Sequence, residues 1–359
     1  MTRARGFSLV EMMVAVTLAL IVTAGVISVF VGSRSAYNAT SGTAALTDGG
    51  RFAMNFISDS VRGAGFMACT TAPNVQGILS PGATPLPLSF TQSLGGFEAV
   101  NTGPGGPGFA VPLATPLAPL ANDGNNVDWV GGLDAALTGM AIQNSDVIVV
   151  RSTVRNAVPA YVQTIADGAT NFTVSAPPVS LQSGQFAVIS DCSKGVVFQI
   201  TGIGLGATPA ISHVGGANAV SAFPLSFSAG SEVTPIDTVA YFIGVGADGD
   251  GALFMYSSNA TGAFTATELV PDIEAMQILY GVDTTLTQTV SNYVTADQVT
   301  DFNTVMSVKI ALLAASPPGA GKPAAAVTYN LLGTTVTPPV DTRSRQVFEE
   351  TIAVRNSLH

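Results

Sequence analysis

Residues 12–31 contain no charged side chain, and this run of twenty residues constrains the chain more than any other feature. At the rise of an α-helix it spans about 30 Å, which is the thickness of a bilayer core. Arg3 and Arg5 precede the run, so the positive-inside rule predicts a cytoplasmic N-terminus and an exported remainder. A secretory signal peptide explains the run less well, because its apolar region is usually shorter and its cleavage site follows that region.

Glu11 lies at the edge of this apolar run. A carboxylate that enters hydrocarbon costs about 2–3 kcal/mol or more, so such a group is normally paired or functional. Cleavage of the chain after Gly6 would free an amine at Phe7, four residues before Glu11. Because residues i and i+4 share a helix face, this ammonium group can meet the carboxylate of its own chain or that of a neighbouring subunit.

Residues 5–11 read Arg-Gly-Phe-Ser-Leu-Val-Glu and resemble the processing motif of the type IV prepilin family. The resemblance implies that a prepilin peptidase cuts between Gly6 and Phe7, that the new Phe7 amine is methylated, and that Glu11 acts in assembly. Further short matches, in the same order along the chain, resemble the PilW minor pilin branch. They are residues 48–53, 62–69, 190–193, 279–283, 293–295, 307–313 and 345–356.

The charge balance argues against nucleic acid as a partner. The chain has 359 residues and a formal net charge of −10, with 13 basic and 23 acidic residues. Binding to a phosphate backbone requires clustered Lys and Arg, whereas neither residue occurs between Arg62 and Arg151. The two histidines offer little for general-base or metal chemistry. We therefore expect no enzyme activity and no cofactor.

Cys69 and Cys192 are the two cysteines of the chain. One disulfide suits a large exported domain, because disulfides persist in oxidising compartments. If joined, the pair closes a loop of about 120 residues and contributes at most about 4–5 kcal/mol in the chain-entropy model. Two separate buried thiols are the alternative.

The N-terminal helix is expected to continue beyond the membrane. Apolar residues recur at helical spacing and predict a stripe that packs against a globular head. They are Phe52, Phe56, Ile57 and Val61. Gly42 and the pair Gly49–Gly50 weaken the helix and are interpreted as a bend.

The remainder of the chain is expected to form a β-rich head. Apolar and β-branched runs bounded by turn residues begin near residue 146 and continue to the C-terminus. We predict an α+β, pilin-like fold, in which a long N-terminal helix packs on a large, mainly antiparallel β-rich head. The predicted parts are a leader at 1–6, the transmembrane and assembly helix at 7–66, a Pro/Gly-rich irregular segment at 67–145 and the head at 146–359.

The motifs that suggest chemistry are weak. Residues 244–249 fit a G-x-G-x-x-G pattern, but a strand rather than a helix is predicted to follow, so we interpret them as a hairpin turn. Asp248 and Asp250 offer a possible calcium site, although the later ligands of an EF-hand loop are missing. His213 is predicted to lie in a surface loop.

Other side chains are assigned structural positions. Trp129 is predicted to be a core or interface anchor. The pairs Asp272/Glu274 and Glu349/Glu350 are interpreted as solvated faces and strand edges.

Together with the resemblance, these features favour a non-enzymatic minor pilin that promotes initiation or assembly of a type IV pilus, at its tip. The resemblance implies an inner-membrane subunit with a single span and a periplasmic head, which later joins a surface pilus. It also implies partners: other minor pilins, the major pilin, the assembly platform, prepilin peptidase and a tip adhesin. The alternatives are a minor pseudopilin of type II secretion, or an adhesin or ligand-binding module on a pilin anchor, with residues 73–135 as its binding surface.

Overall fold

The computed structural model describes residues 8–80, 90–112, 124–206, 208–258, 262–285, 287–321 and 325–357. Its single α-helix, α1, extends from Leu9 to Gly63 over 55 residues. The side chains of residues 9–38 are all exposed. Beyond them one face of α1 is buried, at Gly42, Leu46, Gly50, Ala53, Met54, Ile57, Ser58 and Val61. This spacing of three and four residues is that of one helix face, and it defines the part of α1 that packs on the head.

The described residues form 21 strands. In chain order they are β1 (Phe66–Met67), β2 (Thr70–Thr71), β3 (Val75–Gly77), β4 (Leu94–Phe97), β5 (Phe109–Ala110), β6 (Val147–Thr153), β7 (Ala160–Thr164), β8 (Asn171–Val174), β9 (Phe186–Ser190), β10 (Gly195–Gln199), β11 (Gly202–Gly204), β12 (Ala210–Ser212), β13 (Glu232–Val245), β14 (Gly251–Ser258), β15 (Phe264–Pro271), β16 (Ile273–Val282), β17 (Asn292–Val294), β18 (Val305–Ala315), β19 (Tyr329–Leu331), β20 (Thr334–Thr337) and β21 (Arg345–Ala353). Short 3₁₀ helices occur at Ala72–Asn74, Asn126–Asp128, Ala296–Gln298, Phe302–Thr304 and Arg355–Ser357.

A four-stranded antiparallel sheet carries the packing on α1. Its strand order is β17-β16-β18-β21, with Ile278 opposite Ile310 and Ile310 opposite Glu350. Ile57 and Val61 of α1 join one continuous core with the buried side chains of this sheet. Burial of each such aliphatic side chain contributes about 1.5–3 kcal/mol, so this contact fixes the helix on the head.

Small residues let α1 approach the head closely. A Cβ atom on Gly50 would overlap the ring of Phe348 on β21, and one on Gly42 would overlap Ala320. The helix is unbroken through Gly42, Gly49 and Gly50. Gly42 and Gly50 therefore serve close packing, a role that the interpretation as a bend missed.

A twelve-stranded sheet forms the other part of the head. Strands β11-β12-β8-β7-β13-β9-β10-β3 form its main path, and β4, β6, β14 and β15 extend it through β13. All its pairings are antiparallel except that of β10 with β3. Residues 160–233, here called the insert lobe, enclose a separate apolar core that includes Phe172, Phe198 and Ile211.

Two small sheets complete the described part of the head: the pair β1-β2, and a three-stranded sheet of order β19-β20-β5, in which β20 and β5 are parallel. The three-stranded sheet places Phe109 and Ala110 of the Pro/Gly-rich segment beside the C-terminal part of the head. The same segment contributes Trp129, which is buried and donates from Nε1 to the Ser145 carbonyl oxygen at 3.1 Å. Together, one long helix and a head of mainly antiparallel strands confirm the predicted α+β fold.

Candidate functional site

The exposed half of α1 is the first candidate site. Within the described residues, α1 is the one helix with a segment long and apolar enough to cross a membrane. Its exposed side chains include Leu20, Ile27 and Phe30. A soluble head does not normally leave a continuous apolar surface in water, so such a surface indicates a lipid or protein environment.

Glu11 and Ser8 form a reciprocal cap at the start of α1. The Ser8 amide donates to Oε2 of Glu11 at 2.9 Å, and the Glu11 amide donates to Oγ of Ser8 at 3.2 Å. Sequence reasoning missed this capping box, although Ser-x-x-Glu before an apolar run is its usual signature. Gly6 and Phe7 lie outside the described residues. The carboxylate of Glu11 nevertheless contacts the amide of the residue that follows Phe7 in the chain.

Polar contacts join the C-terminal end of α1 to the head. Arg62 donates to Glu350 on β21 at 2.5 Å, and the hydroxyl groups of Ser60 and Tyr241 lie 2.6 Å apart. The Asn356 side chain donates from Nδ2 to the Ala64 carbonyl oxygen at 2.9 Å. Partly exposed ion pairs contribute little to stability, so these contacts mainly orient the head on the helix.

A disulfide links Cys69 with Cys192, the pairing that the sequence predicted. Cys69 follows β1, just after α1, and Cys192 lies in the turn between β9 and β10. Both residues are exposed, and 123 positions separate them in the sequence. The bond thus ties the segment after the helix to the insert lobe.

A groove of about 1030 Å³ runs beside the end of α1, between the helix and strands β6 and β13. Phe56 and Phe66 contribute apolar surface to it. Arg155 at its rim pairs with Asp59 at 3.2 Å. Asp237 also lines the groove, and burial raises the pKa of this carboxyl to about 6, against hydrogen bonds from Ser258 that lower it.

The carboxylates proposed for calcium are already next to a cation. Asp248 and Asp250 are joined by Asp272, and the three carboxylates lie close together. Arg343, which is largely buried, pairs with Asp250 and with Asp272, the latter at 2.7 Å. Calcium takes six to eight oxygen ligands, so a cluster whose two inner carboxylates bind a guanidinium group fits calcium poorly. The turn itself is a hairpin, in which the Gly246 amide donates to the Asp250 carbonyl oxygen at 2.8 Å.

Two sequence-based assignments were wrong. Glu274 is not solvated, because it is buried and binds Arg345 through both carboxylate oxygens, at 2.7 and 2.8 Å, whereas Asp272 is partly buried. His213 is not a surface residue, because it is fully buried in the core of the insert lobe. Neither environment is visible in local sequence, since the partners lie on distant strands.

Glu98 and Asp146 form a buried acidic pair where the two large sheets meet. Asp146 accepts hydrogen bonds from the amides of Ala99 at 3.0 Å and Ile278 at 2.8 Å. Burial raises the pKa of Asp146 to about 7, although these two hydrogen bonds lower it. Burial also raises the pKa of Glu98 to about 9, and the charges of Asp146 and Asp297 add to the rise.

This acidic pair predicts that the head loses stability as the pH rises. A raised carboxyl pKa in the folded state means that its stabilisation is fully present below the ordinary value and is lost as the pH rises through the folded value. The loss extends from about pH 4 to pH 9 for Glu98 and from about pH 4 to pH 7 for Asp146, by at most about 1.4 kcal/mol per pH unit for each carboxyl. Glu98→Gln should unfold at a higher denaturant concentration than the wild type at pH 8.5 and show a smaller pH slope.

The matched control for Glu98→Gln is Glu349→Gln, because Glu349 is exposed on β21. Denaturant unfolding of the detergent-solubilised chain at several pH values measures both variants. If Glu98→Gln and Glu349→Gln have the same pH slope, Glu98 does not take up a proton on folding.

Comparison with known proteins adds to this geometry. Residues 240–356 match the family model described as Type IV Pilus-assembly protein W, and residues 1–27 match the Prokaryotic N-terminal methylation motif. A type IV-like pilin from Thermus thermophilus shows 17% identity and a TM-score of 0.25, covering 50% of this chain and 87% of that chain. This structural likeness is too distant to carry an argument. The comparison with curated proteins gives no match.

The long exposed helix, the β-rich head and the N-terminal motif define a pilin-like subunit. The two family matches confirm the resemblance to type IV prepilins and to the PilW branch, and they support a minor pilin role. The proteins of these families are structural, in agreement with the prediction that the chain is not an enzyme.

Proposed function

We propose that this chain is a minor pilin that promotes initiation of a type IV pilus and stays at its tip. The observation that carries the proposal is the shape of the subunit: an exposed helical segment of about 45 Å, residues 9–38, which contains the uncharged run, bears a head of about 300 residues. In a helical array of subunits such a head meets neighbours below and beside it. A tip position leaves the space above it free.

The helix supports a mechanism in which lipid is exchanged for sister helices. In the inner membrane the exposed apolar side chains of α1 face lipid, and the head lies in the periplasm. In the filament the same side chains pack against the helices of other pilins. Ala15 and Ala19 form a small-xxx-small pair, which permits close approach of two helices.

Glu11 supports the docking step of this mechanism. Its carboxylate lies at the start of the apolar segment and contacts the Ser8 amide. After cleavage, the Phe7 ammonium group of this chain or of the adjacent subunit would be the nearest cation. Pairing offsets the cost of a carboxylate beside hydrocarbon, so it favours incorporation over retention in the membrane.

Immunogold labelling of intact pili tests the tip position. An epitope tag inserted at residues 318–319, in an exposed loop of the head, should give gold particles at filament ends and few along the shaft. The control is the same label on the major pilin, which should decorate the whole shaft. Uniform labelling of the shaft by the tagged chain would contradict the tip position but leave the minor pilin role intact.

A further inference from the structure

His213 occupies an unusual environment in the insert lobe. It is fully buried, and neither ring nitrogen has a hydrogen-bond partner among the described residues. Its ring stacks on Phe223 at a centroid distance of 4.1 Å. Phe198 and Phe172 lie 5.7 and 6.2 Å away from it, measured in the same way. A histidine with unpaired nitrogens in a phenylalanine cluster costs stability, because a buried polar group without a partner costs about 1–3 kcal/mol.

The segment that covers His213 is weakly held. Residues 219–230, here called the aromatic loop, contain neither helix nor strand. The loop is tied at its ends, where the Ala219 amide donates to the Ile78 carbonyl oxygen at 2.7 Å and the Gly230 amide to that of Val162 at 2.8 Å. Between these ties, no backbone amide of residues 220–227 donates a hydrogen bond to another described residue.

Side-chain packing therefore keeps the aromatic loop closed. Phe223 lies between the loop backbone and His213, and Phe227 contacts Phe223 edge to face at 6.0 Å. A cavity of about 70 Å³ remains between the loop and the turn at residues 165–169. A segment with few hydrogen bonds and a cavity beneath it is of the kind that opens at low free energy.

Among the described residues, no charged side chain forms a hydrogen bond or ion pair with the His213 ring. On the elements that pack around it, Asp167 lines the cavity beneath the aromatic loop, and Lys194 lies 5.8 Å from the centre of the Phe227 ring. Strands β8 and β10 present phenylalanines to His213. Accordingly, burial lowers the pKa of His213. The residue's own backbone raises this pKa, but it offsets only part of the effect of burial.

We propose that His213 makes the aromatic loop an acid-operated latch, which covers the insert lobe at neutral pH and opens when His213 takes up a proton. A charged imidazolium ring is strongly disfavoured in a buried phenylalanine cluster without a partner, and water reaches it when the loop moves away. Opening exposes Phe172, Phe198 and Phe223, so acid turns a closed lobe into one with an accessible aromatic surface. The insert lobe lies outside both family matches, and the latch does not depend on the pilus role.

The direction of the pH effect follows from linkage. Because the closed state disfavours the charged ring, its stabilisation is fully present above the ordinary histidine pKa of about 6.5 and is lost as the pH falls below it. Between pH 7.5 and pH 5.0, the closed state should lose up to about thirtyfold in its equilibrium constant. As the pH falls, protonation of Glu98 and Asp146 stabilises the head, which opposes the effect of His213 on overall stability. The measurement must therefore be local to the insert lobe.

Hydrogen exchange of the full chain in detergent makes that local measurement. Protection factors of amides in residues 160–233, corrected for the intrinsic pH dependence of exchange, should fall on acidification to pH 5.0. In His213→Phe the protection should be higher at neutral pH and should not fall. His359→Gln is the control variant and should behave like the wild type. An equal pH dependence of lobe protection in the wild type and in His213→Phe would overturn the latch.

The imidazole signals of the wild-type chain provide a test that needs no variant at position 213. The chain has two histidines, so a spectrum labelled at histidine should contain two signals, which His359→Gln assigns. The His213 signal should keep its neutral shift below pH 6.5 and change together with the loss of lobe protection. A His213 signal that changes to the protonated shift near the ordinary histidine pKa of about 6.5, while protection stays constant, would also overturn the latch.

Discussion

Removal of the charge at Glu11 should abolish most of the incorporation of this subunit into filaments. Glu11→Val and Glu11→Gln should both lower its amount in sheared filaments by about tenfold or more, which corresponds to at least about 1.4 kcal/mol of lost pairing energy. Membrane insertion should be intact, because an uncharged residue enters the bilayer more easily than a carboxylate. Quantitative mass spectrometry of purified filaments, normalised to the major pilin, measures the effect.

Because Glu11 both carries a charge and caps the helix, a second variant is needed to separate these two roles. In Glu11→Gln the side-chain oxygen can still accept from the Ser8 amide, so this variant keeps the cap and loses the charge. Ser8→Ala removes one half of the reciprocal cap and keeps the charge. We expect Ser8→Ala to enter filaments at close to the wild-type level. If Glu11→Gln assembles normally while Ser8→Ala fails, Glu11 acts as a cap and the docking mechanism is wrong.

Loss of the Cys69–Cys192 bond should cause the largest change in the stability of the head. The two cysteines are 123 positions apart. The chain-entropy model gives at most about 4–5 kcal/mol for a loop of that length. Cys69→Ser/Cys192→Ser should therefore unfold at a clearly lower denaturant concentration. The effect should be strongest in β3 and β10, which pair beside the bond through Val75 and Gly195.

Reduction supplies the matched control for this double variant. A reductant should lower the stability of the wild type to that of Cys69→Ser/Cys192→Ser and leave the variant itself unchanged. Peptide mapping without reductant should recover the linked pair from exported protein. The prediction fails if the oxidised wild type and the double variant unfold at the same denaturant concentration.

Short-range patterns account for the parts of the fold that were predicted. The uncharged run of residues 12–31 and the spacing of Ile57 and Val61 are properties of one helix, so its existence and its buried face follow from the sequence. The antiparallel sheets follow from alternating and β-branched runs bounded by turns, such as residues 305–313. The capping box of Ser8 and Glu11 also follows from a local pattern, Ser-x-x-Glu before an apolar run, although it was not predicted.

Long-range contacts account for what was missed. The sequence alone shows Gly50 only as a residue that weakens a helix. Its role becomes clear from the fold, in which the ring of Phe348, near the C-terminus, packs against it. Glu274 was predicted to be solvated, but in the fold it pairs with Arg345 on β21. His213 lies in a stretch rich in Ser and Gly, and only the folding of the insert lobe surrounds it with phenylalanines. Local composition cannot show which distant strand covers a residue.

The N-terminal peptide of this protein, recovered from sheared filaments, tests the central claim most directly. Cleavage between Gly6 and Phe7 followed by methylation should yield a peptide that begins with methyl-Phe7. Arg3 and Arg5 leave with the leader, which changes the formal net charge from −10 to −12. Filaments that contain the chain with its first six residues still attached, or that lack the chain altogether, would contradict the account.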